Sequence, residues 1–194
     1  MSLPLILASG SVFRQQQLHR LGIPFTAAIP NFDETPLNNE TAADTAARLA
    51  EGKARSLAST YPQHLIIGAD QVAFCRGEQL GKPMNVAHAQ HMLHQLSGQK
   101  IEFYSAICLL NTVSGSLKTH TDHTTVKMRV LNDTQITHYL QREPDAIYCA
   151  GAAKSEGLGA VLLERIDSTD PNALIGLPIF KLIDFLYEEN FIIL

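Results

Sequence analysis

The stretch Leu65-Ile66-Ile67-Gly68-Ala69-Asp70-Gln71, continued by Val72 to Cys75, limits the possible folds more than any other part of the chain. It is an apolar run bounded by turn residues, the pattern of a buried strand. One ionisable side chain, Asp70, stands inside it. An ionised carboxylate is costly to bury without a partner, so Asp70 calls for a cation or for a cleft where the strand meets it. In open α/β sheets ligands gather at the carboxyl ends of strands. Taken alone, Asp70 reads equally as an ion-paired structural residue and as a functional carboxylate.

The segments before this strand build a second candidate site. Leu5-Ile6-Leu7-Ala8 reads as a short strand, Ser9-Gly10-Ser11 as a turn, and residues 12–21 as a helix ended by Gly22. Strand, small polar turn and helix together aim backbone N–H groups and the positive end of a helix dipole at one spot, which suits a phosphate. Arg14, in the first turn, offers a bidentate cation. The turn is too short for a P-loop and lacks GxxxxGK[ST]. The plainer reading is an N-cap with a solvated Arg14. Residues 24–29 read as a second strand, followed by the acidic turn Phe32-Asp33-Glu34-Thr35-Pro36, which the phenylalanine and the proline would hold in place. Residues 41–58 form the clearest helix, with alanines at positions 43, 46, 47, 50, 54 and 58 on the apolar stripe and Lys53 at its border. A border lysine either extends to water or reaches into a cleft.

After the Asp70 strand, Arg76-Gly77 marks a tight turn, and Gly81 and Pro83 fix the backbone on both sides of Lys82. Residues 86–96 read as a helix whose His88, His91 and His94 lie opposite the apolar stripe, on a solvated face rather than in a metal site. Residues 101–112 and 117–130 read as two strands joined at Ser114-Gly115. A helix capped by Asn132 or Asp133 runs to about residue 141. A glycine-flanked loop carries Lys154 and Glu156, and residues 161–163 read as a strand. A last helical region, interrupted by Gly176 and Pro178, follows Asp170. Strands and helices that alternate early, with a hairpin in the middle, predict an α/β domain with a mixed sheet.

At 194 residues the chain fits one domain or one domain with two lobes. No apolar run approaches the roughly 20 residues of a membrane helix, and residues 1–9 lack the basic start of a signal peptide. A net charge of −4 argues against a binder of duplex nucleic acid. Cys75, Cys108 and Cys149 are scattered in apolar settings, which favours buried thiols and a reducing cytoplasm.

In combination these motifs resemble the Maf family of nucleotide pyrophosphatases. The resemblance is carried by Leu7-Ala8-Ser9-Gly10-Ser11 with Arg14, Asp33-Glu34, Arg48-Leu49-Ala50-x-x-Lys53-Ala54, Gly68-Ala69-Asp70-Gln71-Val72 and Gly81-Lys82-Pro83. Ala150-Gly151 to Glu156-Gly157 and Asp170-Pro171-Asn172-x-x-x-Gly176-Leu177-Pro178 complete it, in order and over nearly the whole chain. It implies a single domain over residues 1–194, with a long twisted mixed sheet flanked by helices and two lobes around a central cleft, as in inosine triphosphate pyrophosphatases. It implies hydrolysis of a nucleoside triphosphate to the monophosphate and pyrophosphate with Mg²⁺ or Mn²⁺, in a cytoplasmic homodimer. Asp70 matches the proton acceptor, Glu34 and Asp70 the metal ligands, and Ser9, Arg14, Lys53 and Lys82 the triphosphate contacts. Gln71 and Glu156 look like the subgroup that acts on 7-methyl-GTP, where Phe13 replaces the usual Trp and would stack on a cationic purine. The alternatives are a UTP, CTP or dTTP pyrophosphatase of the same family and a non-catalytic nucleotide-binding regulator of cell division.

Overall fold

The computed structural model describes residues 2–35, 37 and 39–194. Pro36, expected to brace the acidic turn, lies outside the described residues. In chain order the elements are β1 (Leu5–Ala8), α1 (Val12–Arg20), β2 (Thr26–Ala28), α2 (Ala42–Ser56), β3 (Leu65–Cys75) and β4 (Glu78–Leu80). Then follow α3 (Val86–Leu96), β5 (Lys100–Asn111), β6 (Leu117–Met128), α4 (Asp133–Arg142), β7 (Leu163–Asp167) and α5 (Ile179–Glu188). Among the described residues the strands form one seven-stranded sheet in the order β2-β1-β3-β5-β6-β7, with β4 paired to β3. β1 runs parallel to β2 and β3, whereas β3–β4 and β6–β7 are antiparallel. The expected mixed α/β fold is what the chain adopts.

The chain divides into two compact units. The first comprises Met1–Gln71, Tyr104–Asp122 and Asp170–Leu194. Its core gathers Leu5 and Leu7 of β1, Leu18 of α1, Leu65, Ile67 and Ala69 of β3, Ile107 and Leu109 of β5, and Leu182, Phe185 and Leu186 of α5. The other face of β3 receives α2. Ala46, Ala50 and Ala54 are fully buried, and a Cβ at Gly68 would overlap the Ala50 carbonyl. Helix and strand therefore approach closely because both present only small residues at their crossing, and that crossing sets the distance between Lys53 and Asp70. The second unit, Val72–Phe103 and His123–Thr169, packs α3 against α4 with Leu93, Leu96, Ile136 and Leu140 buried. Asn132 and Gln135 close a capping box at the start of α4.

Apart from shifts of one or two residues at the ends of α1, α2, β5 and β6, three elements depart from the sequence reading. β2 shrinks to Thr26–Ala28. β4, too short and polar to show a period, forms because Arg76 and Gly77 (φ 54° and 83°) turn the chain back onto β3. Residues 161 and 162, expected in a strand, belong to a 3-10 turn at Leu158–Leu162, and the strand begins at Leu163. The reason is local: Gly159 sits so close to the Lys154 backbone that a Cβ would overlap it, and the tight winding consumes the residues that follow.

The crossing of α2 and β3 makes a stability prediction. Gly68→Val will destabilise the protein by about 1–3 kcal/mol or more, as overpacking does. Gly81→Ala, whose added Cβ meets nothing within 4 Å, will stay within about 0.5 kcal/mol of the parent. Urea unfolding of the two variants checks this; equal midpoints would refute the close-approach account.

Candidate active site

In the first unit, α2 and β3 bring Lys53 and Asp70 together. The Lys53 ammonium donates to Asp70 Oδ1 at 2.6 Å and lies 2.9 Å from Glu34 Oε2. Lys53 and Asp70 side chains are only 7% and 10% exposed, while Glu34 is 58% exposed. The border lysine thus turns inward. Burial raises the Asp70 pKa from its ordinary 3.8, and Lys53 and then Arg14 pull it back down. Glu34 arrives by its own route. The Phe32 ring covers Gly52 where any Cβ would stand, which seats the acidic turn on α2, as expected of that phenylalanine. Arg48, paired with both oxygens of Glu40, also donates to the Thr35 carbonyl at 3.2 Å. Asp33 is consumed within the turn, accepting from the Thr35 N–H and hydroxyl at 2.9 and 2.6 Å. Those bonds hold its carboxyl below the usual range. Of the two acidic residues, Glu34 is therefore the one presented to Lys53.

At the start of α1, Ser11 caps the helix, its hydroxyl oxygen accepting from the Arg14 N–H. Ser9, 4% exposed, accepts on its hydroxyl oxygen from the Ser11 N–H at 3.2 Å and from Arg14 Nη1 at 3.3 Å. Its own proton makes no bond among the described residues. Arg14 Nε donates to the Gly176 carbonyl at 3.1 Å, so a guanidinium with five N–H donors keeps most of them unspent. Burial lowers the Arg14 pKa, and the facing carboxylates of Asp70 and Glu34 offset part of that. Arg14, Asp70, Glu34, Lys53 and Ser9 thus form one electrostatic group. Phe13, half-buried, precedes Arg14 on the same turn.

Gln71 follows Asp70 and faces the loop after Asp170. Its Nε2 donates to Ser105 Oγ at 2.9 Å and to the carbonyls of Ala173 and Leu174 at 3.0 Å each. The amide orientation is thereby fixed, and its Oε1 stays an acceptor without a partner among the described residues. The loop is further tied by Gln17 Nε2 to the Asn172 carbonyl at 2.8 Å. Asp170 accepts from the N–H of Asn172 and of Phe180 at 2.8 and 2.7 Å. Gln17 and Ser105 escaped the sequence reading because neither belongs to a motif and their partners lie 155 and 68 residues away.

The other two expected site residues belong to the second unit. Lys82 is exposed beside the buried Pro83, and the Met84 N–H donates to the Ile147 carbonyl at 3.0 Å, which pins that loop. Glu156 is exposed on a loop braced by Glu143. That carboxylate pairs with Lys154 at 2.9 Å and accepts from the Leu158 N–H at 3.0 Å. Both Lys82 and Glu156 act on the thiol of Cys149, which burial pushes up to about 12. Among the described residues no group of three or more His, Cys, Asp or Glu side chains could hold a metal; His88, His91 and His94 are exposed. Glu34 and Asp70 meet at the Lys53 ammonium, the most buried of the lysines that pair with two carboxylates among the described residues.

Comparison with known proteins adds an independent line. Residues 4–189 match the family profile described as Maf-like protein. A 7-methyl-GTP pyrophosphatase of Neisseria gonorrhoeae is 63% identical over 190 residues, covering 98% of this chain and 97% of that protein. The 7-methyl-GTP pyrophosphatase of Chromobacterium violaceum is 52% identical over 186 residues, 96% of each chain. Among solved structures, the Ham1 protein of Staphylococcus aureus aligns with 64% of this chain and 71% of that one at 13% identity and a TM-score of 0.46, too slight a likeness to carry an argument.

The electrostatics of the first unit are testable without any ligand. A carboxyl whose folded pKa is raised binds its proton more tightly folded than unfolded. Its contribution to stability is present below the unfolded value and is lost as pH rises through the folded one. Carboxyl-carbon NMR will place the Asp70 midpoint above 3.8, and Lys53→Met, which removes the largest opposing charge, will move it higher. A midpoint that falls in Lys53→Met would contradict the assignment.

Proposed function

The chain belongs to the Maf family, and from that premise we propose that it is a pyrophosphatase that hydrolyses 7-methyl-GTP to 7-methyl-GMP and pyrophosphate. The observation that carries this reading is the buried Asp70–Lys53 pair set beside an Arg14 that keeps most of its donors unspent and a Ser9 hydroxyl whose proton makes no bond among the described residues. The substrate follows the names of the relatives above. Asp70 takes a proton from water as it attacks the α-phosphorus, and pyrophosphate leaves. Burial makes the carboxylate a stronger base, and Lys53 keeps it ionised and aimed. Arg14, Lys53 and the Ser9 hydroxyl meet the charge that builds on the phosphoryl oxygens, from positions set before the substrate arrives. The family resemblance gives Lys82 a further cationic contact with the triphosphate.

Glu34 and Asp70 offer hard oxygens toward one point, a donor set that suits Mg²⁺ or Mn²⁺ with water and phosphate oxygens completing the shell. When bound, such an ion supplies charge neutralisation at the triphosphate. Lys53 would then share the two carboxylates or yield one of them. On the base side, Phe13 stacks on the cationic methylated purine, Glu156 accepts from its amino edge or pairs with its charge, and Gln71 offers an acceptor only. A cytoplasmic homodimer belongs to the same reading; sedimentation of the purified protein tests the dimer.

Turnover of 7-methyl-GTP beside GTP, UTP, CTP and dTTP, with the phosphate product identified, tests the proposal. Pyrophosphate released mainly from 7-methyl-GTP is expected; release mainly from a pyrimidine nucleotide would discard the substrate and keep the reaction. Asp70→Asn will lose about 10²–10⁴-fold in kcat, the range of a general base, and still bind nucleotide. Retained turnover would remove Asp70 from the chemistry. The double variant Gln71→Thr/Glu156→Gln will shift preference away from 7-methyl-GTP, and unchanged selectivity would refute the base-side assignment.

A further inference from the structure

We propose that Ser105 is a positioning residue for the phosphate-binding guanidinium of Arg14, acting through the loop at 170–178; this rests on the reading of Arg14 as a phosphate ligand. Ser105, on β5, is 1% exposed. Its hydroxyl donates to the Ala173 carbonyl at 2.7 Å and accepts from Gln71 Nε2 at 2.9 Å. The Ala173 carbonyl also accepts from the Gly176 N–H at 2.9 Å, which closes the turn. Gly176 then presents its own carbonyl to Arg14 Nε at 3.1 Å. A continuous chain of bonds thus runs from Ser105 through Ala173 and Gly176 to the guanidinium.

Two features make this chain a device for aiming Arg14 and not merely a patch of well-satisfied polar groups. Gly176 has φ +124°, where a side chain is strained, and a Cβ there would stand 3.2 Å from Arg14 Nε. The guanidinium therefore lies against bare backbone, and any shift of that backbone moves it. The other tether of Arg14, Ser9 Oγ, is longer at 3.3 Å and also accepts from Ser11. Gln71 Nε2 also reaches the Ala173 carbonyl, at 3.0 Å, but it divides two hydrogens among that carbonyl, Leu174 and Ser105, and the Ser105 hydroxyl makes the shorter bond to Ala173. The Ser105 hydroxyl is the shortest contact in the network and the one that no motif accounts for. Asp170 anchors the same loop independently through Asn172 and Phe180, so the loop keeps its course when Ser105 changes while its fine position relaxes.

The proposal separates phosphate binding from base reading, and a ligand without a base can test it. Inorganic tripolyphosphate is titrated calorimetrically into the full-length chain, as wild type, Ser105→Ala, Arg14→Lys and the double variant. Ser105→Ala will bind tripolyphosphate about fivefold more weakly, the effect of one buried hydrogen bond. Its preference for 7-methyl-GTP over GTP in kcat/KM will be unchanged. In the Arg14→Lys background the Ser105 change will cost nothing further, since the two act as one unit. Ser105→Cys, nearly the same size with a weak donor, will behave like the alanine variant and guards against a folding defect, checked by the thermal midpoint. Wild-type affinity in Ser105→Ala, additive losses in the double variant, or altered base preference with unaltered tripolyphosphate affinity would each overturn the proposal. A wild-type chain that fails to bind tripolyphosphate, or an Arg14→Lys that binds it equally, would instead refute the phosphate reading of Arg14 and this proposal with it.

Discussion

The arrangement of the first unit depends on one interaction, the ion pair between Lys53 and Asp70. A charge in the middle of a buried strand is tolerable only with a partner of opposite sign held at bonding distance. That distance is set by backbone packing. Alanines on α2 and a glycine on β3 let the helix settle onto the strand, and Lys53 then has no direction but inward. Buried pairs of this kind contribute little net stability, since desolvation consumes most of the attraction. A carboxylate raised by burial and restrained by an ammonium is held between two opposing effects, the balance that the proposed general base calls for. Around it the sequence supplies one more carboxylate, Glu34, and one more cation, Arg14, and each is steered by side chains that do not touch the pair.

That steering is distributed over distant parts of the chain. Phe32 on Gly52 and Arg48 on Thr35 place the acidic turn. Gln17, Ser105 and Gln71 hold the loop after Asp170 by its carbonyls, and that loop in turn holds Arg14. Residues from α1, α2, β3, β5 and the loop after Asp170 thus determine the orientation of a few charged and polar groups. Such support is what fixes catalytic groups in place before a substrate binds. It also explains why an amide at position 71 carries a specific polarity: with its nitrogen committed to two carbonyls and a hydroxyl, it can offer only its oxygen.

Much of this was legible in the sequence where the signal is local. The strand around Asp70, the alanine-rich α2, the capped α4 and the turn before α1 each follow from period, composition or cap chemistry, and they lie where that reading put them. The ordered motifs named the family, which the comparisons bear out. The illegible parts have physical causes. β4 is three residues long and has no period to detect. The strand expected at residues 161–163 lost its first two residues to a glycine-driven turn. The inward course of Lys53 could not be separated from an outward one by helical phase alone, because the deciding factor is Gly68 on another element. Ser105 and Gln17 are ordinary residues made important by partners far away in sequence, a property that only the folded chain displays.

The central claim is that Asp70 directs water to the α-phosphorus. Its most direct test is hydrolysis of 7-methyl-GTP in water enriched in ¹⁸O, with both products analysed by mass spectrometry. The account predicts one labelled oxygen in 7-methyl-GMP and none in pyrophosphate. Label in pyrophosphate would mean attack at the β-phosphorus and would contradict the role assigned to Asp70.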